Sequence, residues 1–383
     1  MINNIYAHQP AYQAYTKINP SISAVIRPLK ASFDTVSFGA NLQPKQIVNF
    51  ANELSGDILK THLFKLTSPE TEGRGVGSQG IEIAKDYIAK EFEKLQLEPV
   101  KKLGLTDFLQ KFETKKYETN IGTVDSPLEG ELYKTTYNPL VPSSNVIGMI
   151  KGTKYPNDYV ILTAHYDHLG KDMKKNIIFP GADDNASSVS TLLEIARIMK
   201  KSGQNEKSII FAALSGEESG KRGAVALANS ISKNGLAKNI EIMNVEMLGA
   251  TGGETLDIWK ERQNLSENLV GGIKEACKAL KIETRIHNGG PLCDAVVFNN
   301  GKLPSVCVAW DFLFMKKPKA NPNAPDILKT HPFYHTAADT AENVNMNVFE
   351  KAAKLISAAT YVLVNKSPAT KKIKNLDVLD KVA

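Results

Sequence analysis

YVILTA at 159–164 is the stretch on which the fold turns. It is a short apolar run with no charge and three β-branched residues, the pattern of a strand covered on both faces. Directly after it stands His165, and at 186–201 a helix is expected. There Val189, Leu192, Leu193, Ala196 and Met199 recur at helical spacing. SIIFAAL (208–214) reads as a second buried strand, a helix follows around 222–232, and IEIMNV (240–245) reads as a third strand. Working outward, helices are expected at 44–62 and 79–95 and strands at 108–114 and 145–150, the latter two joined by a polar Pro/Gly-rich connection. Beyond the centre, TLDIW (255–259), a helix near 264–281, a short helix near 294–300, PSVCVAW (304–310) and a helix at 346–364 continue the alternation. The expected fold is α/β: a single domain with a mostly parallel mixed β-sheet flanked by helices on both faces. Residues 1–43, with Pro10, Pro20 and Pro28 and no period, read as a disordered leader. Residues 44–365 form the domain, and 366–383 read as a C-terminal appendage.

Composition narrows the function classes. Of 383 residues 42% are hydrophobic and 23% charged, ordinary values for a folded protein. The net charge of +6 is small, and lysines sit beside acids, as in KDYIAKEFEKL (85–95), so nucleic-acid binding is not expected. No apolar run reaches the roughly 20 residues of a membrane span. The N-terminus shows no basic start followed by an apolar segment, which leans the expectation towards the cytoplasm. Cys277, Cys293 and Cys307 have no CxxC spacing and read as small buried hydrophobes. Gly75-x-Gly77-x-x-Gly80 fits a dinucleotide expression, but SPETEGR before it is no strand, so nucleotide binding is not expected.

The chemistry collects where strands end, which in open α/β sheets is where ligands bind. YVILTA runs into His165, Tyr166, Asp167 and His168; SIIFAAL into Ser215, Gly216, Glu217 and Glu218; IEIMNV into Glu246. Each alone has a bland reading. His165 could be a capped core histidine, but Asp167 two residues on can orient a metal-bound imidazole. His168 reads as structural, because a third ligand from one turn would be crowded. The acids of GADDNASS (181–188) could cap the next helix, or one carboxylate could bridge two cations. Asn185-Ala-Ser187 is formally a glycosylation sequon, set aside as site interior. Glu217-Glu218 after a wholly apolar strand is harder to explain as surface: one acid could bind metal while its neighbour takes a proton from water. His335 lies in HPFYHTAADT far along the chain. Two imidazoles and three carboxylates, one shared, would hold two divalent ions and leave positions open for water and substrate.

GRGVGSQG (73–80), SNVIGMIKG (144–152), VILTAHYDHLG (160–170), PGADDNASS (180–188), SGEESG (215–220), NVEMLG (244–249) and YHTAADT (334–340) occur in that order, and together they resemble the M28 family of co-catalytic zinc peptidases, which includes bacterial aminopeptidases and glutamate carboxypeptidases. The resemblance implies a zinc-dependent exopeptidase fold and two ions, most simply Zn2+. It implies His165, Asp184, Glu218, Glu246 and His335 as ligands, with Asp184 bridging and Asp167 orienting His165. It also implies Glu217 as general base, acting on a water between the ions. Tyr334 would hold the oxyanion or simply pack. CDAVVFNNGKLPS (293–305) resembles the family's Ser-Asp-His stretch, with Asp294 kept near the substrate pocket and Ala295 replacing the histidine. Glu246 stands where many members have Asp. The implied activity is an aminopeptidase acting on peptides. A carboxypeptidase or dipeptidase, a non-catalytic interaction protein and a single-zinc glutaminyl cyclase-like acyltransferase are the alternatives. Family members are often exported, which sits against the cytoplasmic lean.

Overall fold

In the computed structural model, residues 42–115, 140–261, 264–289, 293–312 and 330–368 are described. All of the expected leader (1–43) except residues 42–43, and all of the expected appendage (366–383) except residues 366–368, lie outside them. The strands are β1 (Leu109–Lys115), β2 (Leu140–Ile150), β3 (Tyr155–His165), β4 (Gly170–Asp172), β5 (Ile177–Phe179), β6 (Lys207–Leu214), β7 (Ile240–Glu246), β8 (Thr255–Lys260), β9 (Glu283–Asn288) and β10 (Ser305–Trp310). The helices are α1 (Pro44–Ala51), α2 (Gly56–Leu66), α3 (Gln79–Lys94), α4 (Ser187–Ser202), α5 (Arg222–Lys233), α6 (Glu267–Leu280), α7 (Ala295–Asn300) and α8 (Met346–Asn365).

Eight strands form one mixed sheet in the order β1-β2-β6-β3-β7-β10-β8-β9, and β4 pairs with β5 in a separate hairpin. The centre, β6-β3-β7-β10, is parallel, and β1, β2 and β8 join by antiparallel pairing. The apolar runs are continuous because both faces are covered. Val160, Leu162 and Ala164 face the layer that holds α4 and α8, while Tyr159 and Ile161 face the layer that holds α5. Phe211 and Ile210 of β6 divide in the same way. The α/β sheet flanked by helices is thus as the sequence predicts.

Two local departures have physical reasons. The expected helix at 44–62 is two helices, because Ser55 starts a new one. Its side chain accepts from Ile58 N at 3.4 Å, and its own N–H donates to buried Glu194 at 2.7 Å. β9, ETRIHN, is an edge strand with no buried residue, and its polar sequence hides it. The glycines at 75–80 lead into α3 from a single-turn helix at Pro69–Arg74, with no strand before them. All three cysteines are buried and free. Among the described residues no helix is long and apolar enough to cross a membrane.

Candidate metal centre

Three neighbouring parallel strands, β6, β3 and β7, end on one rim and carry their acids and imidazole there. His165 is the last residue of β3, paired across to Leu214 of β6. Its Nδ1–H donates to the Asp167 carbonyl at 3.1 Å, since a carbonyl can only accept. That leaves Nε2 as the nitrogen with which the neutral ring would bind a metal. His165 Nε2 lies 3.3 Å from Asp184 Oδ1 and 3.3 Å from Glu246 Oε2. Burial opposes charging of this ring, but Glu246, Asp167 and Asp184 outweigh it and raise its pKa well above the usual value.

Asp184 turns its other oxygen to a second set. Oδ2 is 3.0 Å from His335 Nε2, which is itself 3.2 Å from Glu218 Oε1. Each oxygen of one carboxylate therefore faces a different imidazole. All four separations fall near the edge of a tetrahedron whose centre lies about 2.0 Å from N and O donors, roughly 3.3 Å. Asp184 and Glu218 are held below the ordinary carboxylate range: burial pushes each up, and the neighbouring histidines pull each down further. Asp184, Glu218 and Glu246 have imidazoles rather than lysine or arginine as their ionic partners in the described part of the chain. A buried carboxylate cluster without a permanent counter-cation is costly unless metal neutralises it. The donor set fits two cations, His165-Asp184-Glu246 and Asp184-Glu218 with His335.

The supporting residues are equally specific. The Asp167 carboxylate accepts the backbone N–H groups of Glu217 (3.1 Å) and Glu218 (3.2 Å), tying the two ligand-bearing turns together. Its carboxylate stands 3.7 Å from His165, so its carbonyl is the closer orienting group. Thr163 donates to Asn244 at 2.6 Å, and Asn244 donates to Glu246 Oε1 at 2.8 Å, aiming that carboxylate across the sheet. Asn185 donates to Glu246 Oε2 at 2.5 Å and accepts from Met247 N at 3.1 Å, so its buried amide is committed within the site rather than offered as a sequon. Asp183 is not a ligand. Its carboxylate accepts from Gly249 N and pairs with His331, whose Nε2–H donates to the Trp310 carbonyl at 3.0 Å.

Glu217 belongs to neither donor set and pairs with Lys221 at 2.9 Å. Burial, aided by Glu218 and Glu246 and opposed by Lys221, pushes its carboxyl up to about 7, a range suited to a base near neutrality. Tyr334 stacks on His335 with ring centroids 3.8 Å apart. Asp294, at the start of α7, is wholly buried, and neither of its oxygens meets a hydrogen-bond donor among the described residues. Burial first, then Glu217, drive its carboxyl well above the usual range.

Sequence reasoning passed over four residues. Arg74 is fully buried and donates to the carbonyls of Leu66, Tyr166, Pro180 and Gly181 at 2.6–2.8 Å, clamping the turn after His165 to the turn before Asp184. Asp339 accepts from Asp183 N (2.8 Å) and Asp184 N (3.1 Å). Both sit inside quoted stretches, GRGVGSQG and YHTAADT, but long-range clamps leave no periodicity to read. Lys221 was likewise invisible as a partner of Glu217. His168, set aside as crowded, lies with Asp184 and Glu218, since three residues of turn carry it to the opposite carboxylate oxygen from His165.

The model of peptidase family M28 matches residues 145–360, a span that contains every candidate ligand position described above. The chain belongs to peptidase family M28. Among curated M28 relatives, aminopeptidase YwaD of Bacillus subtilis is 28% identical over 235 residues, covering 61% of this chain and 47% of that protein. The chain thus spans about half the length of the curated relatives it matches. A zinc aminopeptidase structure from Bacillus subtilis superposes with TM-score 0.63 at 18% identity, covering 86% of this chain and 99% of that one. The glutaminyl cyclase of Porphyromonas gingivalis superposes with TM-score 0.54 at 17% identity, covering 80% and 98%. At these identities the likenesses establish the M28 fold.

Proposed function

We propose that this M28 chain is a two-metal hydrolase that releases N-terminal residues from peptides, with zinc as the ion at both positions. The observation that carries the reading is Asp184, whose two oxygens each face a separate imidazole-and-carboxylate set. The names of the zinc aminopeptidase relatives support the choice of metal and substrate. When bound, the ions supply Lewis acidity at the scissile carbonyl and lower the pKa of water.

The chain's own groups do the rest. Glu217 takes the proton of the attacking water and passes it to the leaving amine, which needs a carboxylate whose pKa lies close to working pH. Asp167 fixes the turn that carries this base and its neighbour Glu218. Asn185 and Asn244 hold Glu246 in place, so the ligand frame need not reorganise during the reaction. Tyr334, stacked on His335, is the group we assign as donor to the oxyanion.

Metal analysis combined with free-amine and amino-blocked peptide substrates tests the reading. Two ions per chain and a requirement for the free amine support it. Preference for blocked peptides moves the assignment to carboxypeptidase on the same scaffold, and full activity after exhaustive chelation ends it. The second reading, a single-zinc acyl-transferring cyclase, draws on the shared fold with glutaminyl cyclase. A stoichiometry of one ion would favour it.

A further inference from the structure

His168 is fully buried, and neither of its ring nitrogens has a hydrogen-bond partner among the described residues. A buried imidazole always carries at least one polar N–H or lone pair that needs a partner. The polar atoms that approach Nδ1 are Glu218 Oε1 at 3.4 Å and Asp184 Oδ2 at 3.7 Å. These are the same two oxygens that face His335 Nε2. The rings of His168 and His335 meet edge to face, at 66° with centroids 5.7 Å apart, beside the same two carboxylate oxygens.

The ring packs closely against Gly181. A Cβ placed on Gly181 would lie 2.4 Å from His168 Cγ and 2.5 Å from Cδ2, so the absence of a side chain there makes room for the imidazole. The His168 backbone N–H donates to the Arg74 carbonyl at 3.2 Å, fixing the turn. A ring locked against backbone, with Nδ1 directed at two ligand oxygens and no other partner, is built as a donor to a cation.

We propose that His168 is a fourth protein ligand, through Nδ1, of the ion held by Asp184, Glu218 and His335. This rests on the two-metal reading above. It makes the centre asymmetric. That ion would have four protein donors, two imidazoles and two carboxylates, the number that closes a tetrahedral site. The ion at His165, Asp184 and Glu246 keeps three protein donors and therefore the open position.

The test loads the full chain with Co2+ and counts exchangeable, paramagnetically shifted imidazole N–H resonances, one for each coordinated histidine. Three such resonances are expected in the native chain carrying two cobalt ions, and two in His168→Gln, with fold checked by circular dichroism. His168→Asn replaces it if the Gln variant does not fold. Chelator competition should show the tighter ion weakened by more than about a hundredfold, beyond the 10–100-fold that an outer partner costs. Two resonances in the native chain, or three that persist in the variant, overturn the assignment and leave the two-metal reading standing. Uptake of only one cobalt ion overturns both.

Discussion

The ammonium of Lys221 lies 2.9 Å from a carboxylate oxygen of Glu217. Lys221 sits in the left-handed backbone region, at φ 61°, immediately before α5, and this conformation turns its side chain back over the turn that carries the base. Its own pKa is raised: burial would lower it, and Glu217 more than reverses that.

The pH dependence follows from this pair. The carboxyl of Glu217 is raised from 4.5 to about 7, and its ionised form is the one that accepts a proton. Activity is therefore present above pH 7 and falls away as pH drops through it. Lys221 lowers that pKa, so Lys221→Gln should move the acidic limb of kcat/KM upward by about one pH unit. A limb that stays put or moves down in Lys221→Gln would show that the pair does not govern the base.

Glu217→Gln keeps shape and removes the base. Turnover should fall by about 10²–10⁴-fold, the usual worth of general base catalysis, while both ions remain bound. Near-native kcat in this variant would assign the proton transfer to another group.

Asp184→Ala removes the shared carboxylate, and the chain should then retain neither ion after dialysis. Glu246→Ala should lose only the ion on the His165 side, because Glu246 faces His165 alone of the imidazoles. Elemental analysis of the two variants side by side distinguishes a bridging acid from an ordinary ligand.

Arg74→Met would take a donor from four backbone carbonyls, of which those of Leu66 and Gly181 keep bonds from Thr71 Oγ1 and the Ala186 N–H, while those of Tyr166 and Pro180 lose theirs. At about 1–3 kcal/mol for each buried group left unpaired, and with partial relaxation, unfolding stability should drop by about 3–5 kcal/mol. Metal affinity should fall with it, since the clamp joins the Tyr166 carbonyl to those of Pro180 and Gly181. Denaturant titration with and without added zinc reads both effects.

Gly181→Ala should be nearly as damaging. Its backbone lies at φ 60°, and the new Cβ would meet Asp184 O at 2.3 Å as well as the His168 ring. A loss of about 2 kcal/mol or more is expected from strain of this kind. Metal affinity should fall in parallel.

Much of this was legible beforehand because burial writes itself plainly. YVILTA, SIIFAAL and IEIMNV are apolar throughout, since helices cover both faces of the strands they form. A charged residue directly after such a run must lie on the rim, which is how His165, Glu218 and Glu246 could be read together. The gaps have a common cause. Ser55 divides α1 from α2 through a bond to Glu194, which lies 139 residues away. The hairpin of β4 and β5 consists of three-residue strands, too short for any period. Arg74 and Asp339 act through backbone groups of distant turns, and His168 depends on how one turn rotates a ring. Such relationships exist only once the chain has closed on itself.

Glu218, His165 and Glu246 leave the sheet from β6, β3 and β7, which are hydrogen-bonded neighbours. Adjacent strands lie roughly 4.8 Å apart wherever a sheet forms. The gap between the two ligand sets is thus inherited from the peptide ladder itself. Changes in the loops beyond those strand ends would leave that gap as it is, so selectivity and chemistry in this scaffold are free to evolve along separate paths.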